Sequence, residues 1–207
     1  MNKLTLNKKN PTRKLEIFDY ASKLSKKNTD LVKYNGKTLI NFASNDYLGF
    51  SKNKEISGES ISWIKKYGSS LSSSRLVTGN LDKIEMMEKL ISKNIKHENS
   101  IIIGNGFLLN STLIPSLTGN SLGTRNKCVI FSDKLNHASI NYGCLISRQK
   151  CFRYNHLDLN HLENQLKKTP KKMRKIIISE TLFSMDGDLA DLCGLRYLSK
   201  KYASILY

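Results

Sequence analysis

A regular alternation of short apolar segments with segments of helical spacing runs from residue 100 to residue 207, and it constrains the fold more than any other feature. The apolar segments are SIIIG, CVIFSD, KCFRYN, RKIIISE and ASILY. Between them lie GFLLNSTLIPSL, HASINYGCLIS, LNHLENQLKK and ADLCGLRYLSKKY. This order is typical of a parallel sheet covered by helices. The sequence therefore predicts an α/β fold with a mostly parallel sheet and helices on both of its faces.

The first hundred residues have a different texture. Apolar residues that recur every third or fourth position predict helices over 11–27, 53–67 and 81–93. The stretch KTLINFASNDYLGF at 37–50 alternates briefly and then breaks at Asn45-Asp46, a turn signal. The polar stretch GSSLSSSRLVTGN predicts a loop. We therefore expect an N-terminal helical arm over 1–40 and a larger domain over 41–207.

The balance of charge raises the question of a nucleic-acid partner. Lysine and arginine number 34 against 17 aspartate and glutamate residues, which gives a net charge of +17. The basic residues are mostly scattered, and the one dense cluster, KKTPKKMRK at 167–175, fills a predicted helix-to-strand connection. This distribution favours solvated basic faces with a weak attraction for acidic partners. A non-catalytic basic module that binds nucleic acid is the alternative of a different class.

Several function classes are disfavoured by what the sequence lacks. The four cysteines form no CxxC pair, and His156 and His161 match no common zinc spacing and favour a surface helix. No apolar run reaches the roughly 18–20 residues of a membrane span, and the start MNKLTLNKKNPTRK lacks the apolar centre of a secretory signal. We expect no disulfide, no metal, no membrane partner and a cytoplasmic location.

Three polar motifs follow predicted strands, at the sheet edge where α/β proteins bind ligands. GNGF follows SIIIG, DKLNHAS follows CVIFS, and ETLFSMDGD follows RKIIIS. Glycines 104 and 106 would let a phosphate approach a helix start, although the pattern departs from GxGxxG because residue 109 is leucine. Three interpretations of His137 are open: it caps a helix, it lies in the core, or it stacks on an aromatic cofactor. Ser184 belongs to a turn or projects its hydroxyl into the same pocket.

Five motifs, taken in order, resemble one enzyme family. NFASNDYLGF, SRLVTGN, GNGFLLN, DKLNHASI and ETLFSMDGD are similar to motifs of the α-oxoamine synthases, pyridoxal-phosphate enzymes of the fold-type I group. Within that family the chain most resembles members that condense alanine with a pimeloyl thioester, carried on coenzyme A or an acyl-carrier protein, in biotin biosynthesis. A second α-oxoamine synthase activity, that of the 2-amino-3-ketobutyrate CoA ligases, is the alternative.

The resemblance implies a cofactor and a set of site residues. Pyridoxal 5'-phosphate (PLP) would serve as the electron sink of the reaction. Matching the motifs residue by residue, Gly106, Phe107, His137 and Ser184 would bind the cofactor. His137 would also lie against the substrate, and Asn45 would contact the carboxylate of the amino acid. Full-length members of the family are homodimers.

Other positions depart from the family's pattern. A serine-rich run, GSSLSSSR, replaces a glycine-rich one, and GNLDKIE lacks the family's usual histidine. No arginine in the arm just before residue 37 matches the family's acyl-substrate arginine; Lys26 or Lys27 could stand there, but lysine cannot form the same forked contacts.

A strand like ASILY leads, in the family, to an Asp-x-x-His motif and later to the Schiff-base lysine. We therefore expect an N-terminal portion that carries a truncated PLP-binding large domain, contains no catalytic lysine and is inactive alone. It would be either a gene remnant or a half that assembles with a separate C-terminal chain.

Overall fold

A computed structural model describes residues 31–119 and 127–207. The chain divides into two compact units, Met1–Asp82 and Lys83–Tyr207. The helix expected over 11–27 lies outside the described residues.

The first unit contains a hairpin and a helix. Strands β1 (Leu31–Tyr34) and β2 (Lys37–Ile40) pair in antiparallel fashion. Asn35 and Gly36 join them with φ of 48° and 74°, and an Asn-Gly pair with two positive φ values suits a tight hairpin turn. A 3-10 turn at Phe50–Lys52 precedes helix α1 (Lys54–Tyr67), which confirms the helix predicted over 53–67.

Helix α1 begins where it does because Asn53 caps it. The side-chain oxygen of Asn53 accepts the N–H groups of Glu55 and Ile56 at 2.9 and 3.0 Å. Such a cap satisfies backbone donors that have no partner within the helix. The loop predicted after this helix is also present, since residues 68–80 contain no helix or strand.

The second unit confirms the predicted alternation of strands and helices. After α2 (Asp82–Asn94), its elements are α3 (Gly106–Leu117), β3 (Cys128–Asp133), α4 (Ala138–Ile146), β4 (Lys150–Tyr154), α5 (Leu159–Lys167), β5 (Arg174–Ile178), α6 (Leu192–Lys201) and β6 (Ile205–Leu206). The four strands from β3 onward form one parallel sheet in the order β4-β3-β5-β6. The α/β fold class predicted from the sequence is therefore observed.

Strand β3 is buried along its whole length, and its side chains alternate between two apolar layers. Val129 and Phe131 pack with α5 and α6, in a cluster that also holds Tyr154, Leu162, Leu166, Ile177, Leu195 and Leu198. Cys128 and Ile130 pack with α3 and α4, in a cluster that also holds Ile114, Ile140, Cys144, Ile176 and Ile178. Each fully buried side chain of this size contributes about 1.5–3 kcal/mol. Helices thus cover both faces of the sheet.

The strand predicted at SIIIG is the exception. Residues 100–104 form no strand, and Ile101 is 77% exposed. The N–H of Ile102 donates to Glu88 Oε1 at 2.7 Å rather than to a neighbouring strand. An apolar segment becomes a strand only where another backbone supplies its hydrogen bonds. The prediction of a strand here is wrong because the described residues provide no such neighbour.

Among the described residues, no helix is both long and apolar enough to cross a membrane. No group of three or more His, Cys, Asp or Glu side chains is arranged there to hold a metal ion. All four cysteines are free thiols, with Cys128 and Cys144 buried and Cys151 and Cys193 exposed.

Candidate functional site at the carboxyl edge of the sheet

The start of α4 is fixed to the ends of two neighbouring strands. The buried Asn136 donates from Nδ2 to Ser132 Oγ of β3 and to the carbonyl oxygen of Ile178 of β5, both at 2.9 Å. The N–H of His137 donates to the carboxylate of Glu180, just beyond β5. These bonds place His137 at the edge of the sheet where ligands of α/β proteins bind.

His137 is the N-cap of α4. Its Nδ1 lies 3.1 Å from the backbone nitrogen of Ser139, whose N–H it accepts, and 2.7 Å from Ser139 Oγ. The residue is exposed, so the possibility that it belongs to the core is wrong and the capping interpretation is confirmed. The cap occupies Nδ1 alone. The faces of the imidazole ring are therefore available for a further contact.

The start of α3 lies open. Asn105 caps this helix by accepting the N–H of Leu108 at 2.8 Å. A Cβ atom added to Gly106 would meet nothing within 4 Å. Phe107 is 51% exposed, and its ring centroid lies 5.3 Å from that of Tyr142 in α4. Free N–H groups at a helix start attract anions, so this opening can receive a phosphate.

Helices α3 and α4 are held side by side. Asn110 Nδ2 of α3 donates to Ser139 Oγ of α4 at 2.9 Å. The absence of a side chain at Gly143 allows the close approach, because a Cβ there would lie 2.3 Å from the carbonyl oxygen of Asn110. The structure thus brings together the two helix starts that carry Gly106 and His137.

Ser184 lies in a hairpin formed by residues 181–190. Leu182 and Leu189 form an antiparallel bridge, and the N–H of Phe183 donates to the carbonyl oxygen of Asp188 at 2.9 Å. Gly187, at φ 79°, makes the turn. Ser184 is exposed in this turn. The hairpin follows Glu180, whose carboxylate accepts the N–H of His137.

Asn45 lies in the first unit, exposed within the irregular segment 41–49. The contact predicted between Asn45 and the carboxylate of the amino-acid substrate stays a prediction.

His156 was missed as a site residue by the sequence analysis. It lies in the loop between β4 and α5 rather than on the surface helix that was predicted, and its ring is only 20% exposed. Its ring nitrogens face Asp133 and Asp188, which are 23 and 32 positions away in the chain. No local spacing could have indicated a contact at such separations. His161 does lie on a helix, as predicted.

One buried polar atom at this edge has no partner among the described residues. Asn136 Oδ1 is buried and accepts no hydrogen bond there. A buried acceptor without a partner costs free energy. Phe107, His137 and Ser184 are all exposed, and no atom lies within 4 Å of the Cβ position of Gly106.

A sequence profile of the aminotransferase class I and II family matches residues 37–207. The chain belongs to the aminotransferase class I and II family. Among known proteins, this family member is 35% identical over 179 residues to an 8-amino-7-oxononanoate synthase of Gluconacetobacter diazotrophicus. That match covers 86% of the chain and 45% of the relative. The chain spans about half the length of the curated relatives it matches.

Solved structures of similar proteins agree with the fold. An 8-amino-7-oxononanoate synthase from Francisella tularensis matches with a TM-score of 0.60 at 25% identity, over 76% of this chain and 41% of that one. A serine palmitoyltransferase from S. paucimobilis with a bound PLP–myriocin aldimine matches with a TM-score of 0.78 at 24% identity, over 86% of this chain and 43% of that one. The second likeness concerns the fold alone.

Proposed function

We propose that this aminotransferase-family chain carries part of the PLP site of an 8-amino-7-oxononanoate synthase. That enzyme joins alanine to a pimeloyl thioester and releases carbon dioxide and the carrier thiol. The name of the relatives supports the choice of reaction. The observation that carries the proposal for this chain is the pairing of an exposed, oriented His137 with the open start of α3.

The phosphate of PLP would be held at the start of α3. The backbone N–H groups of Gly106 and Phe107 belong to the first turn of that helix and have no partner within it. Because no atom lies within 4 Å of the Cβ position of Gly106, an anion can come close to the backbone there. The positive end of the helix favours the charge of the phosphate.

The aromatic ring of the cofactor would lie against His137. The cap through Nδ1 fixes the imidazole, so little side-chain entropy is lost when a second ring stacks on it. The hydroxyl of Ser184 would donate a hydrogen bond to the cofactor, and the amide of Asn45 would bind the carboxylate of the amino acid. Bound PLP would supply an electron sink that takes up negative charge as bonds at the substrate's α-carbon break.

A comparison of two ligands tests this proposal. PLP and pyridoxal, which lacks the phosphate, are titrated into the 207-residue chain and binding is followed by absorbance and calorimetry. We expect a preference of at least about tenfold for PLP, because the helix start recognises the phosphate. Equal affinity for the two ligands would contradict the assignment of the phosphate to α3.

A pair of histidine variants tests the role of His137. Asparagine also caps helices, so His137→Asn keeps the start of α4 while removing the ring. We expect about two- to tenfold weaker PLP binding, the equivalent of about 0.5–1.5 kcal/mol of stacking. His97→Asn, an exposed histidine after α2, is the matched control and should leave the affinity unchanged.

The amino acid is tested with the PLP-loaded protein. L-Alanine and glycine are added separately, and the absorbance of the cofactor is followed at increasing concentration. We expect the larger response with alanine. A larger response with glycine would favour the alternative activity, that of a 2-amino-3-ketobutyrate CoA ligase.

A further inference from the structure

His156 bridges two structural elements that carry opposing carboxylates. Its Nδ1 lies 2.9 Å from Asp133 Oδ1, at the end of β3, and its Nε2 lies 3.3 Å from Asp188 Oδ2, in the hairpin 181–190. The imidazole also lies nearly perpendicular to the ring of the buried Phe183, with centroids 4.5 Å apart and an interplanar angle of 88°. Three contacts therefore define the position of this ring.

The two carboxylates differ in how firmly they are held. Asp133 is fully buried and also accepts the N–H groups of Leu135 and Leu157, at 2.8 and 3.0 Å. Asp188 is 49% exposed and belongs to a short hairpin. Asp133 is thus a fixed anchor, and His156 connects that anchor to a hairpin whose Phe183 is buried but whose Asp188 is half exposed.

We propose that His156 is a positioning residue that fastens the hairpin 181–190 to the end of β3 and thereby holds the hydroxyl of Ser184 at the sheet edge. The inference rests on the function proposed above, because it assigns to His156 the placement of a residue of that same site. It adds a histidine that does not itself touch the ligand.

The charge state of His156 determines how strong this connection is. Partial burial lowers the pKa of His156, but the hydrogen bonds to Asp133 and Asp188 outweigh it and raise the pKa above its ordinary value of 6.5. Asp133 of β3 and Asp188 of the hairpin are the charged groups that face the ring. Asp158, two residues further along the same loop, is engaged as the N-cap of α5.

The direction of the pH effect follows from this raised pKa. When His156 is protonated, both ring nitrogens donate, one to each carboxylate. The neutral ring has one donor, so one of the two contacts is lost. The hairpin should therefore be held firmly below about pH 6.5 and loosen as the pH rises through the higher pKa of the folded state.

Hydrogen exchange of the hairpin amides tests the connection without any ligand. In the 207-residue chain, the N–H groups of Phe183, Gly187 and Ala190 donate within the hairpin at 2.9, 2.8 and 3.0 Å. Their protection, corrected for the intrinsic exchange rate, should fall about tenfold between about pH 5.5 and about pH 8. His156→Phe keeps a ring against Phe183 but donates nothing, and should show the low protection at both pH values. Wild-type protection in His156→Phe would overturn the proposal.

Two further variants keep the test decisive. Amides of β5 report global unfolding, and they should exchange as in the wild type. If His156→Phe also loosens β5, Asp188→Asn is used instead, because it removes one charge from an exposed position. Asp188→Asn should weaken the pH dependence, and an unchanged pH dependence would overturn the proposal. His97→Phe, at an exposed histidine outside the hairpin, should change neither readout.

A double-variant cycle links the hairpin to the proposed site. Ser184→Ala and His156→Phe should each weaken PLP binding about fivefold, and the double variant should bind no more weakly than either single one. Additive effects would overturn the claim that His156 acts through Ser184. If the wild-type chain fails to bind PLP, the proposed function fails, while the exchange experiment still decides whether His156 fastens the hairpin.

Discussion

Asn110 Nδ2 lies 2.9 Å from Ser139 Oγ, and this bond joins the N-terminal halves of α3 and α4. The same amide accepts the hydroxyl of Tyr207 through Oδ1 at 2.7 Å, so both of its polar ends are engaged. Ser139 in turn bonds the imidazole of His137. Asn110 therefore couples the helix that begins at Gly106 to the ring of His137, and the two parts of the proposed cofactor site share one polar connection.

Removing that connection should destabilise the chain. Asn110→Ala deletes two hydrogen bonds and leaves the hydroxyls of Ser139 and Tyr207 without this partner, which costs about 1–3 kcal/mol of unfolding free energy. Urea denaturation of the 207-residue chain measures the change. Asn160→Ala, at an exposed position of α5, is the control and should stay within about 0.5 kcal/mol of the wild type. Equal stability of the two variants would contradict a structural role for Asn110.

The contact between α3 and α4 should also fail when side-chain volume is added at Gly143. In Gly143→Ala, the new Cβ would lie 2.3 Å from the carbonyl oxygen of Asn110 and 3.0 Å from Ile114 Cδ1. Backbone cannot yield as a flexible side chain can, so the helices must separate, at about 1–3 kcal/mol. Thermal unfolding should show a lower midpoint. Gly104→Ala, where a Cβ meets nothing within 4 Å, is the matched control. If Gly143→Ala unfolds at the same midpoint temperature as Gly104→Ala, the close contact between α3 and α4 does not contribute to stability.

The pattern of the sequence was sufficient for the parallel sheet, because β3 and β5 are buried and their apolar runs stand between clear helical segments. It failed at SIIIG because strand formation depends on a neighbouring backbone, which composition does not encode. Local sequence also indicated a capping role as one interpretation of His137, since a histidine between a strand and a helix can cap that helix.

His156 could not be found in the same way. Its role depends on Asp133 and Asp188, which only the folded chain brings to it. The Asp-Gly pair in the sequence indicated the turn that carries Ser184, but no sequence pattern indicated that this hairpin is attached to β3. Contacts over long separations in the chain are set by topology, so sequence spacing predicts the loops of the site better than the bonds that hold them together.

Acid should weaken the contact between α5 and α6. The carboxylate of Glu163 in α5 accepts hydrogen bonds from Lys201 of α6, from Tyr202 just after that helix, and from Lys167 of α5. These bonds lower the pKa of Glu163 from an ordinary 4.5 to about 2. Because the pKa of Glu163 is lower in the folded state, its carboxylate stabilises the fold at pH values above the pKa of the unfolded state. This stability is lost as the pH falls from about 4.5 towards about 2. The unfolding free energy should therefore decline over that window.

The variant Glu163→Gln isolates this contribution. It should be less stable than the wild type at about pH 6, and the difference should shrink at about pH 3, where the wild-type contribution is being lost. Urea denaturation at the two pH values measures it. Glu98→Gln, an exposed carboxylate after α2, controls for the change in net charge. A difference between wild type and Glu163→Gln that is constant with pH would show that the carboxylate is not involved.

The cap that His137 provides can be separated from any contact with a ligand. His137→Ala removes the acceptor of the Ser139 N–H and should cost about 0.5–2 kcal/mol of unfolding free energy, whereas His137→Asn keeps an acceptor and should stay close to the wild type. Urea denaturation of the two variants without ligand measures this difference. If both variants are equally destabilised, the ring contributes to stability beyond the cap, and weaker PLP binding by His137→Asn could no longer be attributed to stacking. If His137→Asn is as stable as the wild type but binds PLP more weakly, the imidazole ring of His137 contacts the ligand, and its Nδ1 atom caps the helix.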